Sequence, residues 1–233
     1  LSINEDANLI SKLTSIEGKW FQTAFRGRVR LGLFMPFLGS CMFVRRELLE
    51  KLGGWSERHL SEDMELSARL LERGYSVVFA DDLSTLQEYP SSVKSYLTQR
   101  YRWFRGSFEV ALSYLRLLRK PSFRKLDAEL VFLTPVFMVL FLLALLGWLP
   151  VFFQTPFYIP APLTALMTVL GAAATMTAAL SCRRPLKLKD LFTAPLINVY
   201  WATQSFIALK AVLDVALRRP QVWVKTEKTG SVA

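Results

Sequence analysis

The protein has 233 residues, 52% of them hydrophobic, and a mean hydropathy of +0.28. Its 29 Lys and Arg residues outnumber 19 Asp and Glu residues, which gives a net charge of +10 at pH 7. The apolar content argues against a wholly soluble protein, and the basic charge points to an anionic partner, either a membrane surface or a nucleic acid.

The first 54 residues predict two helices separated by an apolar segment. Residues 8–25 have the spacing of an amphipathic helix, and residues 45–54 predict a short helix that two glycines end. Between them, the apolar segment 31–44 contains a turn at Gly39 and Ser40. This pattern is the beginning of a mixed α/β arrangement.

The sequence SEDMELSARLLERGYSVVFA predicts a helix followed by a buried strand over 75–80. Ser61 is a suitable N-cap and Gly74 a suitable end. Three leucines form the predicted buried face, namely Leu66, Leu70 and Leu71. Glu62 and Asp63 fall in the first turn, where free N–H groups favour ionised carboxylates. Simple helix capping is the alternative explanation of this acidic pair.

The sequence QRYRWFRG lies within a predicted helix over 93–118. The predicted apolar stripe of this helix consists of Val93, Leu97, Tyr101, Phe104, Phe108, Ala111 and Leu115. Gln99, Arg102, Trp103 and Gly106 fall on the opposite face. A Trp beside Gln and Arg, with a Gly leaving room, is suited to pack against a sugar ring. The alternative is an interfacial Trp with arginines at the lipid headgroups.

No charged residue occurs between residues 130 and 182. A break rich in proline divides this window into two predicted transmembrane helices, about 129–153 and 157–181. Basic residues flank the pair and are absent from the loop 150–160. This positive-inside pattern places 1–128 and 182–190 in the cytoplasm and accounts for the charge, so nucleic-acid binding is not expected.

A third apolar stretch, 191–220, is interrupted by Lys210 and Asp214. We expect it to form an amphipathic helix that lies in the membrane interface and ends before Pro220. The alternative is an ordinary third span, which would place the basic tail outside.

Together these motifs resemble the second half of the catalytic domain of processive family 2 glycosyltransferases, the membrane synthases of cellulose, chitin, hyaluronan and poly-N-acetylglucosamine. The signature of that family is D, D-x-D, (T/S)-E-D and Q-x-x-R-W, followed by membrane helices. The last two motifs match Ser61 to Asp63 and Gln99 to Trp103. The resemblance implies the C-terminal half of an α/β, GT-A type domain, then transmembrane helices and an amphipathic interface helix.

The resemblance also implies a division of the chain into five parts. Residues 1–90 belong to the cytoplasmic glycosyltransferase domain, 91–128 are interface helices carrying Q-x-x-R-W, and 129–181 are the two spans. A basic loop and interface helix occupy 182–220, and 221–233 form a tail like the gating loop of cellulose synthases. Such a protein is a multi-pass protein of the inner membrane, with its catalytic part on the cytoplasmic face.

The family's inverting chemistry implies roles for the acidic pair and for the turn. Asp63 is the expected base on the acceptor hydroxyl, and Glu62 orients or supports it. Gln99 and Trp103 are expected to hold the acceptor sugar. Gly39 and Ser40 resemble a turn near the acceptor. 

Other residues are expected to bind the donor. Arg102 would offset charge on the departing diphosphate. In the tail, Trp223, Thr226 and Lys228 match the gating-loop pattern F-x-V-T-x-K, while Lys225 replaces its Val. The predicted nucleotide-binding residues are therefore Arg102, Trp223, Thr226 and Lys228.

The resemblance implies a nucleotide-sugar donor, a UDP-sugar, and a Mg²⁺ or Mn²⁺ ion. The metal-binding D-x-D is expected upstream of Leu1, so no metal ligand is assigned, and this chain alone is expected to be inactive. His59 has no second potential ligand nearby. Two alternatives remain: a non-processive transferase acting on a membrane lipid, and a non-enzymatic membrane-anchored interaction module.

Overall fold

The computed structural model describes residues 3–80, 82–153, 161–181, 193–224 and 226. Eight α-helices occur in these residues: α1 Leu9–Arg30, α2 Arg46–Lys51, α3 Glu62–Glu72, α4 Val93–Tyr114, α5 Phe123–Phe132, α6 Thr134–Phe153, α7 Ala161–Ser181 and α8 Thr193–Ala216. A 3₁₀ turn, Leu115–Arg119, follows α4. The four helices predicted before residue 119 are thereby confirmed, with shifted ends.

The described part of the chain is helical rather than α/β. The strand predicted over 75–80 is wrong, since these residues have no regular secondary structure and Val78 is 77% exposed. A strand requires a neighbour to pair its backbone groups, and no described residue lies in a β-strand. The helix before it ends as predicted, with Gly74 in the left-handed region at φ +81°.

Helix α4 is the centre of the fold. One side packs with α1 and α8 around Phe104, and another packs with α3 and α5 around Val110 and Ala111. The predicted single apolar stripe is therefore wrong at three positions, Val93, Leu97 and Leu115, which are exposed. Because helices cover α4 from two sides, its polar residues become buried as well.

A buried ion pair joins α1, α4 and α8. Arg100 of α4, only 3% exposed, donates to Glu17 of α1 and, at 3.0 Å, to the hydroxyl of Tyr200 in α8. Glu17 also accepts from Tyr200 at 3.1 Å, Trp201 at 3.3 Å and Gln204 at 2.7 Å. Buried charges are costly unless they are fully paired, so this network fixes the register of the three helices.

The first predicted span differs from the single helix expected over 129–153. Helices α5 and α6 meet at Leu133 with a bend of 61° between Phe123–Phe132 and Thr134–Gly147. Helix α6 packs against α8 and α7, and Phe141 lies against Gly171 so closely that a Cβ there would be 2.7 Å from its ring. The second predicted span is helical over α7, but 154–160 lie outside the described residues.

By length and apolar composition, Leu196–Ala216 in α8 is the one described helix that could cross a bilayer by itself. The bent α5–α6 pair would be a second only if it is one span, and the described apolar stretch of α7, Thr164–Ala173, is shorter. The segment expected in the interface thus has the length and composition of a span, because only Lys210 and Asp214 interrupt it.

Replacing Arg100 with Gln tests the buried network. We expect Arg100→Gln to lower the free energy of unfolding by about 3–5 kcal/mol, because Glu17 is left as an unpaired buried charge. Arg46→Gln, which breaks an exposed pair with Glu50, is the matched control and should change it by less than about 0.5 kcal/mol. Thermal unfolding of the purified protein measures both changes. If the two variants lose equal unfolding free energy, the buried network does not contribute to stability as proposed.

Candidate active site

Asp63 lies in the first turn of α3 and accepts a hydrogen bond from the Met64 N–H at 2.8 Å. Ser61 precedes the helix as predicted, but its side chain makes no capping hydrogen bond. Burial, with a smaller contribution from the negative charge of Glu62, raises the pKa of Asp63 to about 6. The Met64 N–H and the positive Arg102 act in the opposite direction.

This pKa corrects the expectation that the helix start simply favours an ionised Asp63. Loss of solvent outweighs the helix terminus, although the carboxyl is still mostly ionised at pH 7. Because the folded-state pKa lies above the ordinary 3.8, the ionised carboxylate destabilises the fold above pH 6. This cost, up to about 3 kcal/mol, is lost as the pH falls through 6 towards 4.

The turn at Gly39 lies against the Asp63 carboxylate. A Cβ at Gly39 would lie 3.0 Å from Asp63 Oδ2, and the residue has φ +73°, so both space and backbone favour glycine. Ser67 connects this segment to α3, since its hydroxyl accepts the Phe37 N–H at 2.7 Å and donates to the Asp63 carbonyl at 2.8 Å. Ser40 follows Gly39 and is exposed.

Gly106 allows α3 and α4 to touch. A Cβ at this position would lie 2.1 Å from Ser61 Oγ and 2.9 Å from the Ser61 backbone nitrogen. The sequence had suggested that Gly106 leaves room beside Trp103, and the structure instead fills that room with Ser61. A second contact, from the Tyr114 hydroxyl to Glu65 at 2.5 Å, fixes the pair further along. The two signature motifs are thereby held side by side.

Four side-chain polar atoms of α4 are buried without a hydrogen-bond partner in the described chain, namely Tyr96 Oη, Gln99 Oε1, Arg100 Nε and Arg102 Nε. Gln99 is only 9% exposed, so it does not lie on the open face that the helical phase predicted. Buried unpaired polar atoms are rare in native proteins, and a bound ligand is one kind of group that can satisfy them.

Trp103 remains 36% exposed, and the Arg100 guanidinium lies over its ring at 4.6 Å. The pair with Glu17 therefore holds the arginine that orients this indole. The sequence analysis missed Arg100 and Glu17. The only signal for them was a single carboxylate among the apolar residues of α1.

The predicted tail is described only in part. Trp223 is 62% exposed, and Thr226 has a buried hydroxyl with no hydrogen-bond partner among the described residues. Lys228 and Lys225 lie outside the described residues. Nucleotide binding by the tail therefore stays a prediction.

Comparison with known proteins identifies the family. A profile described as glycosyl transferase family group 2 matches residues 5–180, which is more than half of the chain. The chain belongs to glycosyl transferase family group 2. It is therefore related to sugar transferases, and the non-enzymatic interaction module loses its support.

Several family 2 relatives resemble the chain over part of their length. It is 32% identical to the probable glycosyltransferase YdaM of Bacillus subtilis (strain 168), over 56% of this chain and 31% of that protein. It is 31% identical to a probable glycosyltransferase of Sulfolobus acidocaldarius, over 71% of this chain and 37% of that protein. It is 33% identical to the probable glucomannan 4-beta-mannosyltransferase 3 of Oryza sativa subsp. japonica, over 42% of this chain and 16% of that protein. The matched region thus spans about a third or less of these relatives, and no solved structure matches the chain.

Family 2 enzymes commonly use a divalent metal, but the described residues do not supply a site for one. No group of three or more His, Cys, Asp or Glu side chains in the described ranges could hold an ion. Asp63 and Glu62 alone are too few ligands for Mg²⁺ or Mn²⁺. No step of the chemistry is therefore assigned to a metal held by these residues.

Gly106→Ala tests whether the contact between α3 and α4 builds the family 2 site. We expect it to lower the free energy of unfolding by about 1–3 kcal/mol and to reduce sugar transfer, because the methyl group displaces Ser61 and the adjacent Asp63. Gly27→Ala is the matched control, since Gly27 lies in helix α1 with nothing within 4 Å of its Cβ position. That variant should be stabilised by roughly 0.5–1 kcal/mol.

Adding the second substitution Ser61→Gly should partly restore the stability and the sugar transfer that Gly106→Ala loses. It removes the nearest clash at Ser61 Oγ but leaves the backbone nitrogen in place. Thermal unfolding and transfer assays on the full-length protein measure these effects. If Gly106→Ala behaves like Gly27→Ala, the contact is not needed.

Proposed function

We propose that this chain forms the acceptor side of a membrane-embedded, inverting glycosyltransferase that moves a sugar from a UDP-sugar to a growing polysaccharide. The observation that carries the proposal is the contact at Gly106. It sets a carboxylate with a raised pKa beside a helix with four buried, unpaired polar atoms, two of which belong to Gln99 and Arg102 of the Q-x-x-R-W motif.

The reaction needs a base at the acceptor hydroxyl, and Asp63 supplies it. The hydroxyl oxygen forms a bond to the anomeric carbon, and the bond from that carbon to the diphosphate breaks. The electron pair of the broken bond leaves with the nucleoside diphosphate, and the hydroxyl proton passes to an oxygen of Asp63. A base with pKa near 6 is ionised at pH 7 and still basic enough to accept a proton as the bond forms. Glu62 supports it by keeping that pKa high.

The neighbouring helix holds the sugars. Gln99 Oε1 can accept a hydrogen bond from an acceptor hydroxyl, and the Trp103 ring offers an apolar face to the sugar C–H groups. Arg102 Nε can donate to a diphosphate oxygen and offset the charge that develops there. Gly39 and Ser40 border the acceptor next to Asp63. Trp223, Thr226 and Lys228 would contact the nucleotide from the tail.

The two sides of α8 favour a membrane location. Apart from Asn198, Thr203 and Lys210, its exposed side carries large apolar residues, namely Leu196, Val199, Phe206 and Leu213. On its buried side the polar residues are hydrogen-bonded, Tyr200 and Gln204 to Glu17 and Asp214 to Tyr101 and Lys210, and they lie among apolar residues such as Ile197 and Ile207. Apolar residues outside and satisfied polar residues inside are the arrangement of a helix bathed in lipid. We place the enzyme in the inner membrane, with its catalytic part on the cytoplasmic face.

A polysaccharide acceptor is favoured over a lipid acceptor on two grounds. The rice relative carries the name of a glucomannan transferase, which refers to a polysaccharide. The site also has an exposed Trp103 with one guanidinium already stacked on it, a rigid platform on which successive sugars can pack. A single-sugar glycolipid product is the alternative outcome of the experiment below.

The test offers membranes containing the full-length protein UDP-N-acetylglucosamine, UDP-glucose and GDP-mannose in parallel, and sizes the products. We expect a polymer from a UDP-sugar. Asp63→Asn should reduce transfer by at least about 10²-fold, because the base is lost, while stability at neutral pH is kept or raised. Glu50→Gln, at an exposed carboxylate, should leave transfer unchanged. A single-sugar lipid product would exclude the polymer, and transfer that survives Asp63→Asn would exclude the mechanism.

The pH dependence provides a separate prediction. Below pH 6, kcat/KM should fall about tenfold per pH unit, since protonated Asp63 cannot accept the hydroxyl proton. Glu62→Gln should move the midpoint of this limb to lower pH, because a negative charge that raises the pKa is removed. Glu50→Gln should leave the midpoint in place. If Glu62→Gln leaves the midpoint of the acid limb of the pH profile unchanged, a group other than Asp63 controls that limb.

A further inference from the structure

Arg105 follows Trp103 by two residues, yet it makes no contact that the sugar chemistry requires. Its side chain is buried, with the residue 3% exposed. The guanidinium donates to two backbone carbonyls beyond α8, those of Arg219 at 2.5 Å and Pro220 at 3.0 Å. It also donates to Glu109 at 2.8 Å and to the Tyr101 hydroxyl at 3.1 Å. One side chain of α4 thus holds the segment that begins the tail.

Further links join the same two segments. The Tyr101 hydroxyl donates to Asp214 at 2.8 Å, and Asp214 pairs with Arg219 at 3.0 Å. Further along, the Gln221 side chain donates to Glu109 at 2.8 Å. Residues 219–221 are therefore attached to α4 at three successive positions. Helix α4 supplies every partner of this attachment except Asp214.

The geometry explains why an arginine is needed. The chain leaves α8 through Arg218, whose φ of +53° turns the backbone sharply after the last helical turn. Two carbonyls then face α4, and only the planar fork of a guanidinium can reach both while also pairing with Glu109. A lysine would keep the charge but would make fewer of these hydrogen bonds.

We propose that Arg105 is a positioning residue that fixes the start of the C-terminal tail against the helix bearing Gln99, Arg102 and Trp103. Residues 219–221 are then held against the helix that carries the acceptor-contacting residues, which sets the point from which the predicted donor-contacting tail starts. The proposal rests on the proposed function for its catalytic consequence, but the attachment itself can be measured without it.

The first measurement is hydrogen exchange in the full-length protein without substrate. The amides of Leu217, Arg218 and Arg219 bond to carbonyls of α8. We expect Arg105→Gln to speed their exchange about tenfold or more, since the hydrogen bonds that hold the next two carbonyls are lost. Arg46→Gln is the matched control, because Arg46 pairs with Glu50 at the same i,i+4 spacing on the surface. Unchanged exchange in Arg105→Gln would overturn the proposal.

The second measurement separates positioning from mere stability. Arg105→Lys should raise the KM for the nucleotide-sugar about tenfold and leave the acceptor dependence of the rate near that of the unaltered protein. A residue that only stabilises the fold would lower the amount of active protein and leave KM unchanged. An unchanged donor KM with accelerated exchange would therefore remove the catalytic part of the proposal.

Gln221→Ala provides a variant that does not risk the fold, because Gln221 is exposed and lies outside α4. It should accelerate exchange at residues 217–219 in the same direction as Arg105→Gln, to a smaller extent. If Arg105→Gln does not fold, an unchanged exchange pattern in Gln221→Ala overturns the proposal. If no donor supports transfer by the unaltered protein, the proposed function fails while the exchange result still decides the attachment.

Discussion

The buried pair between Arg100 and Glu17 is the constraint on which the rest of the structure depends. A carboxylate removed from water needs its hydrogen bonds filled, and α8 supplies Glu17 with donors from Tyr200, Trp201 and Gln204, while Arg100 Nε has no partner in the described chain. Such a network tolerates only one register of the three helices. Because Gln99 adjoins Arg100 and the Trp103 ring stacks on the Arg100 guanidinium, the register of the core also sets the geometry of the face that we propose binds sugars.

The polar network also determines what α8 can be. Its buried side carries the hydrogen-bonded Tyr200 and Gln204 among apolar residues such as Ile197 and Ile207. Its outward side carries Val199 and Phe206, but also Asn198, Thr203 and Lys210. The apolar part of this outward side supports the proposed contact with lipid. The hydropathy pattern assigned this helix to the interface because Lys210 and Asp214 interrupt it. In the structure Asp214 is buried and bonded to Tyr101, whereas Lys210 stays exposed.

Local signals in the sequence predicted local structure well. Ser61 and Gly74 bound α3 as expected, and the acidic pair falls in its first turn. What the sequence could not predict depends on distant partners. The strand over 75–80 lacks a neighbour in the described chain, α4 is covered on two sides rather than one, and Gly106 faces Ser61 rather than a sugar. The raised pKa of Asp63 belongs to the same class, since burial by other segments outweighs the helix terminus that the sequence reveals.

The burial of Asp63 has a structural consequence for α3. Since burial raises the pKa of the partly buried Asp63, its ionised form costs folding free energy that contacts elsewhere in the fold must offset. The Tyr114 hydroxyl and Arg69 both bond to Glu65, one turn of helix away, and Arg69 also binds the Leu52 carbonyl. These contacts involve none of the groups to which we assign a part in transfer. They stabilise α3 and so help to offset the cost of a carboxyl basic enough to take a proton, which the proposed general base requires.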